Sequence, residues 1–388
     1  MKLNKKICIL TSVHPVFDTR IFYKEAKTLA NAGYDVTLIA QHDKNETVDR
    51  IKIIALQKPK NRIERFLKLD YLTYKKALQQ KADIYHFHDP ELLPWALKLK
   101  KKTKAKIIYD IHENIPGQIM NKEWIPRILR KLFSFIYKKI EKKIIPNFDH
   151  IILAEDSYKE YYSRDLNKTV IKNYPIISEK GVKKTQNKEF GTPKLVYVGG
   201  ISKNRGIFEI LESVIILKKN LPETKLIIAG KIPLELESKI KKIIKINSLK
   251  DNIELLGRIN YTKIQHIFFE SNIGLCILRP IPNYISSLPT KLLEYMTAGL
   301  PVIVSDFPIN SKLINKEGCG LTVDPKKPEE IAKAIEYLIE HPNEAKKMGE
   351  NGRKAVLEKY NWDIEAKKLL EVYKNLTLSK PCCLRRSQ

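Results

Sequence analysis

The strongest constraint on this chain is a repeated alternation between short apolar runs and stretches with apolar residues at helical spacing. Ile7-Cys8-Ile9-Leu10 opens the series, and Phe22, Ala26, Leu29 and Ala30 follow at helical intervals. Gly33 stands where a helix C′ glycine belongs, and Val36-Thr37-Leu38-Ile39 is the next run. Ile84-Tyr85-His86-Phe87, Ile107-Ile108-Tyr109 and Ile151-Ile152-Leu153 continue the pattern. Strands separated by amphipathic helices build parallel sheets with helical crossovers, so the expected class is α/β.

Between Ser178 and Pro193 the chain turns polar, with Lys, Gln, Asn and Gly, and a second series then begins. Its strands are expected at Leu195-Val196-Tyr197-Val198, Leu226-Ile227-Ile228-Ala229-Gly230, Ile253-Glu254-Leu255-Leu256, Ile273-Gly274-Leu275-Cys276-Ile277 and Val302-Ile303-Val304, with an amphipathic helix from Ile207 to Leu217. The 388 residues suit two domains, each with its own core. The sequence therefore predicts two Rossmann-like domains: residues 1–177, a linker at 178–193, and residues 194–360. Residues 361–388 add a C-terminal helix packed back towards the first domain and a flexible tail. Such halves are expected to hold a ligand in the cleft between them, at the carboxyl ends of their strands.

Hydrophobic residues make up 43% of the chain and charged residues 30%, which fits a globular protein. No apolar run approaches the ~20 residues that span a bilayer. Lys2, Lys5 and Lys6 before the first apolar run imitate a signal peptide, but that run is too short and lacks a small-residue cleavage site, so a buried strand is preferred. Cys8, Cys276, Cys319, Cys382 and Cys383 show neither disulfide nor metal-site spacing, and a reducing cytoplasm fits. The Cys382-Cys383 pair is read as part of a polar tail rather than as a lipidation site. The net charge of +27 admits nucleic acid, an anionic membrane or phosphorylated small molecules as partners.

Two segments suggest an anion site. Pro289 to Pro301 places a helix start after a strand, and Lys291 and Glu294, three apart, share a helix face. A helix start presents free N–H groups to a diphosphate, and a carboxylate can accept two ribose hydroxyls. Taken alone, the pair serves equally well as an exposed ion pair. In Val198-Gly199-Gly200-Ile201-Ser202-Lys203-Asn204-Arg205-Gly206 a strand leads through glycines into a loop. There backbone can approach a phosphate and Arg205 can pair with it bidentately.

Together with His14-Pro15, Asp18-Thr19-Arg20-Ile21-Phe22, His86-Phe87-His88-Asp89-Pro90 and Tyr109-Asp110-Ile111-His112-Glu113, these motifs resemble the retaining family 4 glycosyltransferases of the GT-B type, over nearly the whole chain. The resemblance implies that Arg205 binds the donor diphosphate and Glu294 the ribose. Gly199, Gly200, Leu288, Thr290 and Lys291 are expected around the same donor, and His112 against the donor sugar, which makes His112 and Arg205 the catalytic candidates. His14, Asp18, Arg20, His88, Asp89 and Glu113 are candidates on the acceptor side. Three departures stand out: Ser286 occupies the place of a second glutamate, Gly200 that of an arginine, and Val13-His14-Pro15-Val16-Phe17-Asp18 that of a glycine pair. Lys291 or Arg279 are candidates for the missing positive charge. No Asp-x-Asp motif is present, and His86 and His88 are too few to argue for a metal. No cofactor or metal is therefore expected, the diphosphate being neutralised by Arg205, Lys291 and a helix dipole. The resemblance further implies retention of anomeric configuration by a front-face route.

Residues 122–143 carry eight Lys or Arg against two Glu, with Ile125, Ile128, Leu129, Leu132, Phe133, Ile136 and Ile140 at helical spacing. This profile suits either a core helix with a solvated basic face or an interfacial helix on anionic lipid. The lysines between Lys98 and Lys106 would extend the same surface. The expected activity is transfer of a sugar from a nucleotide sugar to a glycan or lipid-linked acceptor, in cell-surface polysaccharide synthesis, by a cytoplasmic protein able to dock on the inner membrane face. The competing expectations are a two-Rossmann sugar-nucleotide epimerase, an inactive relative serving as scaffold, and a basic nucleic-acid-binding protein. The last lacks any helix-turn-helix, zinc or aromatic RNA-binding signature, so no nucleic-acid partner is expected.

Overall fold

A computed structural model of the chain describes residues 5–112, 114–121, 125–177 and 192–378. Residues 178–191 of the expected linker at 178–193, Glu113 and the Cys382-Cys383 tail lie outside the described residues. The chain divides into two compact units. The first runs up to Asn173 and takes in the helix that starts at Trp362, and the second is Tyr174–Asn361. The boundary falls four residues before the expected one: Tyr174 belongs to the second unit and packs edge-on against Tyr360, with ring centroids 5.7 Å apart.

Among the described residues the first unit contains eight strands: β1 (Lys6–Pro15), β2 (Asp35–Gln41), β3 (Glu46–Val48), β4 (Ile51–Leu56), β5 (Ile84–Phe87), β6 (Lys106–Ile111), β7 (His150–Leu153) and β8 (Lys168–Val170). Their order in the sheet is β3-β4-β2-β1-β5-β6-β7-β8. All pairs are parallel except β3 with β4. Those two form a hairpin whose turn residues, Asp49 and Arg50, have φ of 49° and 65°, the left-handed pair that a tight hairpin requires. Alternate residues of each strand face opposite sides. Cys8, Leu10, Tyr85, Phe87, Ile107 and Tyr109 pack in one core layer, and Ile7, Ile9, Val36, Leu38, Ile84 and Ile108 in the other. The C-terminal helix Trp362–Leu378 closes the second layer with Leu369, Val372 and Tyr373. The Trp362 indole donates to Thr28 Oγ1 at 2.9 Å.

The second unit is a six-stranded parallel sheet of β9 (Lys194–Val198), β10 (Lys225–Ala229), β11 (Ile253–Gly257), β12 (Ile273–Cys276), β13 (Val302–Ser305) and β14 (Gly320–Val323), in the order β11-β10-β9-β12-β13-β14. In each unit the chain winds outward in both directions from a central pair, β1 with β5 and β9 with β12. Such a switch point leaves a crevice at the strand carboxyl ends, the place where open α/β sheets bind ligands. Among the described residues, no helix is long and apolar enough to cross a membrane.

Candidate active site

In the second unit the loop after β9 and the helix after β12 meet at the switch point. The backbone here is packed too closely for side chains. Gly199 has φ +130°, and a Cβ added at Gly230 would lie 1.8 Å from the Gly199 carbonyl oxygen. Gly206 starts the helix Ile207–Leu217 at φ +66°, with the Ile277 carbonyl oxygen 2.7 Å from where its Cβ would be. The loop between them folds Arg205 back over Gly200. Arg205 Nη1 donates to the Gly200 carbonyl and Nε to the Tyr284 hydroxyl, each at 3.4 Å. A Cβ at Gly200 would stand 3.2 Å from Arg205 Nη1, so the glycine leaves the space that the guanidinium occupies.

Lys291 enters from the helix Thr290–Thr297, whose first turn follows Pro289. The helix is amphipathic inward: Leu292, Leu293, Tyr295 and Met296 fill the core, and Lys291 is buried with them. It is therefore no exposed ion-pair residue. Its Nζ sits 3.8 Å from the centre of the Tyr197 ring and has no hydrogen-bond partner. Burial, with Arg205 acting in the same direction, pulls its pKa from 10.5 down to about 8. The Tyr197 hydroxyl donates to the Gly200 carbonyl at 2.9 Å, so one tyrosine both supports Lys291 and fixes the loop. Glu294 is half-buried one turn on, Leu288 packs beside the core and Thr290 is exposed at the helix start. Ser286 Oγ donates to the Pro282 carbonyl at 2.9 Å. Arg279 is held at Glu209, its Nε 2.6 Å from Oε1. Of the two residues considered for the missing charge, Lys291 stands beside Arg205 and the glycines, and Arg279 is taken up in an ion pair.

The whole arrangement hangs on Tyr295. Its hydroxyl accepts from the Val198 amide at 2.9 Å and donates to the Leu275 carbonyl at 3.3 Å, tying the helix to β9 and β12. Gly274 makes room for it: a Cβ there would lie 2.5 Å from the Tyr295 ring.

In the first unit the ends of β1, β5 and β6 bring together a buried polar network. Arg20, expected on the acceptor side, is instead buried and paired bidentately with Asp110 at 2.8–3.2 Å and with Glu25 at 2.9 Å. The reason is local. Asp18 caps the π-helical segment Thr19–Ala26, accepting from the Arg20 and Ile21 amides at 2.8 and 3.0 Å, and so turns Arg20 inward. Although burial opposes it, hydrogen bonding from His14 and these amides holds Asp18 down to about 2. Asp89 is also buried and accepts from Thr11 Oγ1 and the Ser12 and Val13 amides, which shapes the loop after β1. His88 is buried too, and its Nδ1 lies 2.9 Å from His112 Nε2. His112 Nε2 is 3.1 Å from Asp110 Oδ1, and His112 and His14 keep partial exposure with ring centroids 6.1 Å apart.

His86 also joins the network, with Nε2 3.7 Å from Asp110 Oδ2 and Nδ1 2.9 Å from the Tyr373 hydroxyl, and neither these two nor Glu25 and Asp110 are among the expected site residues. The signal that could have found them is charge and polarity at positions where the strand and helix patterns demand apolar residues. Burial and the Asp110 charge push Glu25 well above the usual carboxyl range, whereas Arg20 and His112 hold Asp110 well below it against burial. Ligand atoms of Glu25, His86, His88 and Asp110 lie within 4.8 Å of one another, a donor set that could surround a cation. Arg20 already supplies a positive charge there.

Comparison with known proteins assigns the chain. A profile described as Glycosyltransferase Family 4 matches residues 19–173, and one described as Glycosyl transferases group 1 matches residues 179–355. The chain belongs to the family 4 glycosyltransferases. It is 27% identical over 186 residues to the alpha-D-kanosaminyltransferase of Streptomyces kanamyceticus, covering 48% of this chain and 46% of that protein, so the match spans about half the relative's length. It is 25% identical over 377 residues to YtcC of Bacillus subtilis, covering 90% of this chain and 86% of that one. Among solved structures, Anabaena Alr3699/HepE in complex with UDP and glucose superposes with a TM-score of 0.70 at 12% identity, covering 96% of this chain and 100% of that one. The fold of this family 4 chain is accordingly GT-B.

Proposed function

We propose that this glycosyltransferase moves a sugar from a nucleotide diphosphate to a hydroxyl of a glycan or lipid-linked acceptor, with retention of configuration, and that the second unit holds the donor. The observation that carries this is the convergence of Arg205 and the unpartnered, buried Lys291 on the backbone of Gly199 and Gly200. A desolvated ammonium with no hydrogen-bond partner is costly unless an acceptor completes it, and the Glu294 carboxylate offsets its charge only in part. A diphosphate carries the right charge, and the start of the helix Thr290–Thr297 adds N–H groups and dipole. Glu294 on the same helix is assigned the ribose. The Anabaena structure of the same fold is described as a complex with UDP and glucose, which is in line with a nucleotide-sugar donor. His112, oriented by Asp110, is assigned to the transferred sugar. The leaving diphosphate assists deprotonation of the acceptor, and the protein's part is positioning and electrostatic stabilisation.

Thermal shift with UDP, GDP and ADP tests donor binding. Arg205→Ala should lower turnover by about 10²–10³ with an unchanged melting curve, the scale of losing one transition-state donor. Transfer at the wild-type rate would remove Arg205 from the site.

We further propose that the helix Arg127–Ile144 docks on anionic lipid at the inner face of the cytoplasmic membrane, where cell-surface glycans are assembled. Ile128 is 90% exposed, Phe135 55% and Leu132 50%, among lysines and arginines. Residues 122–124, at the start of the expected basic segment, lie outside the described residues. Binding to vesicles containing phosphatidylglycerol should weaken as salt rises, and equal binding to neutral vesicles would refute it.

A further inference from the structure

A cavity in the first unit is assigned no role by the donor chemistry. It has a volume of about 640 Å³, within the roughly 300–1,000 Å³ typical of small-molecule sites. It lies between the helix Arg127–Ile144 and the segment that follows β7. Ile111, Pro116, Ile145, Tyr158, Tyr162 and Leu166 form its apolar walls. Ile111 ends β6 immediately before His112, and the Tyr158 hydroxyl donates to the His112 carbonyl at 3.4 Å. The cavity therefore reaches the end of β6 that carries the histidine assigned to the transferred sugar, and one of its walls is bonded to that residue.

The chemistry of the lining selects a class of ligand. Glu141 is buried and lines the cavity. Its Oε1 accepts from the hydroxyls of Tyr137 at 3.0 Å and Tyr162 at 3.2 Å, which leaves Oε2 as an acceptor for a ligand. Burial raises the Glu141 pKa, and the two tyrosine hydroxyls oppose this. An acyl or prenyl chain would cover this carboxyl group with hydrocarbon and satisfy nothing. Lys138, Lys142 and Arg164 also line the cavity, but Glu141, Glu160 and Asp165 balance them, so a phosphate finds no net positive charge there. A sugar ring meets both demands: its C–H faces lie on tyrosine and proline, and its hydroxyls donate to Glu141. Asn114 and Ser163 offer further polar groups at the edge.

We propose that this cavity is an acceptor subsite that takes neutral sugar rings of the acceptor glycan, with Glu141 as the hydroxyl-accepting anchor and Tyr158 and Tyr162 as walls. The proposal rests on the acceptor being a glycan, free or lipid-linked.

The test is saturation-transfer NMR on the full chain with maltose, cellobiose and lactose as probes, on wild type, Glu141→Gln and Ser163→Trp. Glu141→Gln keeps the shape and weakens the acceptor, so affinity for a bound disaccharide should fall about tenfold, the scale of one hydrogen bond to a charged group. Ser163 is exposed at the rim, so Ser163→Trp fills the cavity without disturbing the core and should abolish binding even if Glu141→Gln fails to fold. The UDP thermal shift should be unchanged in both variants. Binding of none of the three sugars to wild type, or equal binding to wild type and Ser163→Trp, overturns the proposal. So does displacement of a bound sugar by dodecanoate that Ser163→Trp leaves unaffected. If UDP, GDP and ADP all fail to bind wild type, the donor assignment falls, and the sugar titration still decides the cavity.

Discussion

Replacing Lys291 with methionine separates the two consequences of burying a cation. Lys291 is buried, its ammonium lies on the Tyr197 face and its pKa falls from 10.5 to about 8. That fall corresponds to an energy of about 3 kcal/mol. The sign follows from which state binds the proton more tightly. The unfolded lysine does, so below pH 8 the folded state carries the full cost, and that cost fades as pH rises to 10.5. Methionine has a similar unbranched shape and no charge. It removes the cost but also the cation–π contact, which is worth about 1–2 kcal/mol. The net expectation at pH 7 is a stability gain of about 1–2 kcal/mol. At roughly 2–4 °C per kcal/mol for a domain of this size, that is a rise of about 2–8 °C in the transition of the second unit. Calorimetry at pH 7 and pH 10.5 should show the gain at the lower pH and its loss at the higher. Titration with UDP and GDP at pH 7 should show the opposite effect on function, with diphosphate affinity at least tenfold weaker, the scale of one charge-assisted hydrogen bond. A variant that is less stable than wild type at pH 7 and binds diphosphate equally well would refute the argument, because Lys291 would then be a structural residue.

Two further outcomes follow from the packing. Gly274→Ala places a methyl 2.5 Å from the Tyr295 ring, which is held by two hydrogen bonds, so the second unit should lose about 3 kcal/mol in urea unfolding; a loss under 0.5 kcal/mol would mean the ring moves freely. In the first unit, Asp110→Asn should cost less than the roughly 3–5 kcal/mol of a broken buried pair, because Glu25 can ionise and take over Arg20. Adding Glu25→Gln should then restore the full cost, and a double-mutant cycle that shows simple additivity would contradict that exchange.

Much of the fold was legible in the sequence because it is written in local periodicity. Ile7-Cys8-Ile9-Leu10 and Leu195-Val196-Tyr197-Val198 are strands β1 and β9, and the expected helix from Ile207 to Leu217 has those bounds. What periodicity missed was short or unusual: the β3–β4 hairpin depends on left-handed Asp49 and Arg50, residues that rarely signal a turn.

The candidate sites were legible to a lesser degree. Residue type and spacing pointed to Arg205, Lys291 and Glu294, but an i,i+3 pair reads the same whether it is exposed or buried. Only packing decided it, through the Tyr197 ring 94 positions away and through Gly274, which admits Tyr295. Arg20 shows the limit more sharply. The sequence placed it near the chemistry, yet its partner Asp110 is 90 residues distant, and pairing across that separation is a property of the sheet order, with β1 beside β5 and β5 beside β6. The sequence by itself determined most of the longer strands and helices and the family they belong to. The tertiary structure decided which charges are desolvated, and desolvation separates a surface ion pair from a cation that awaits an anion.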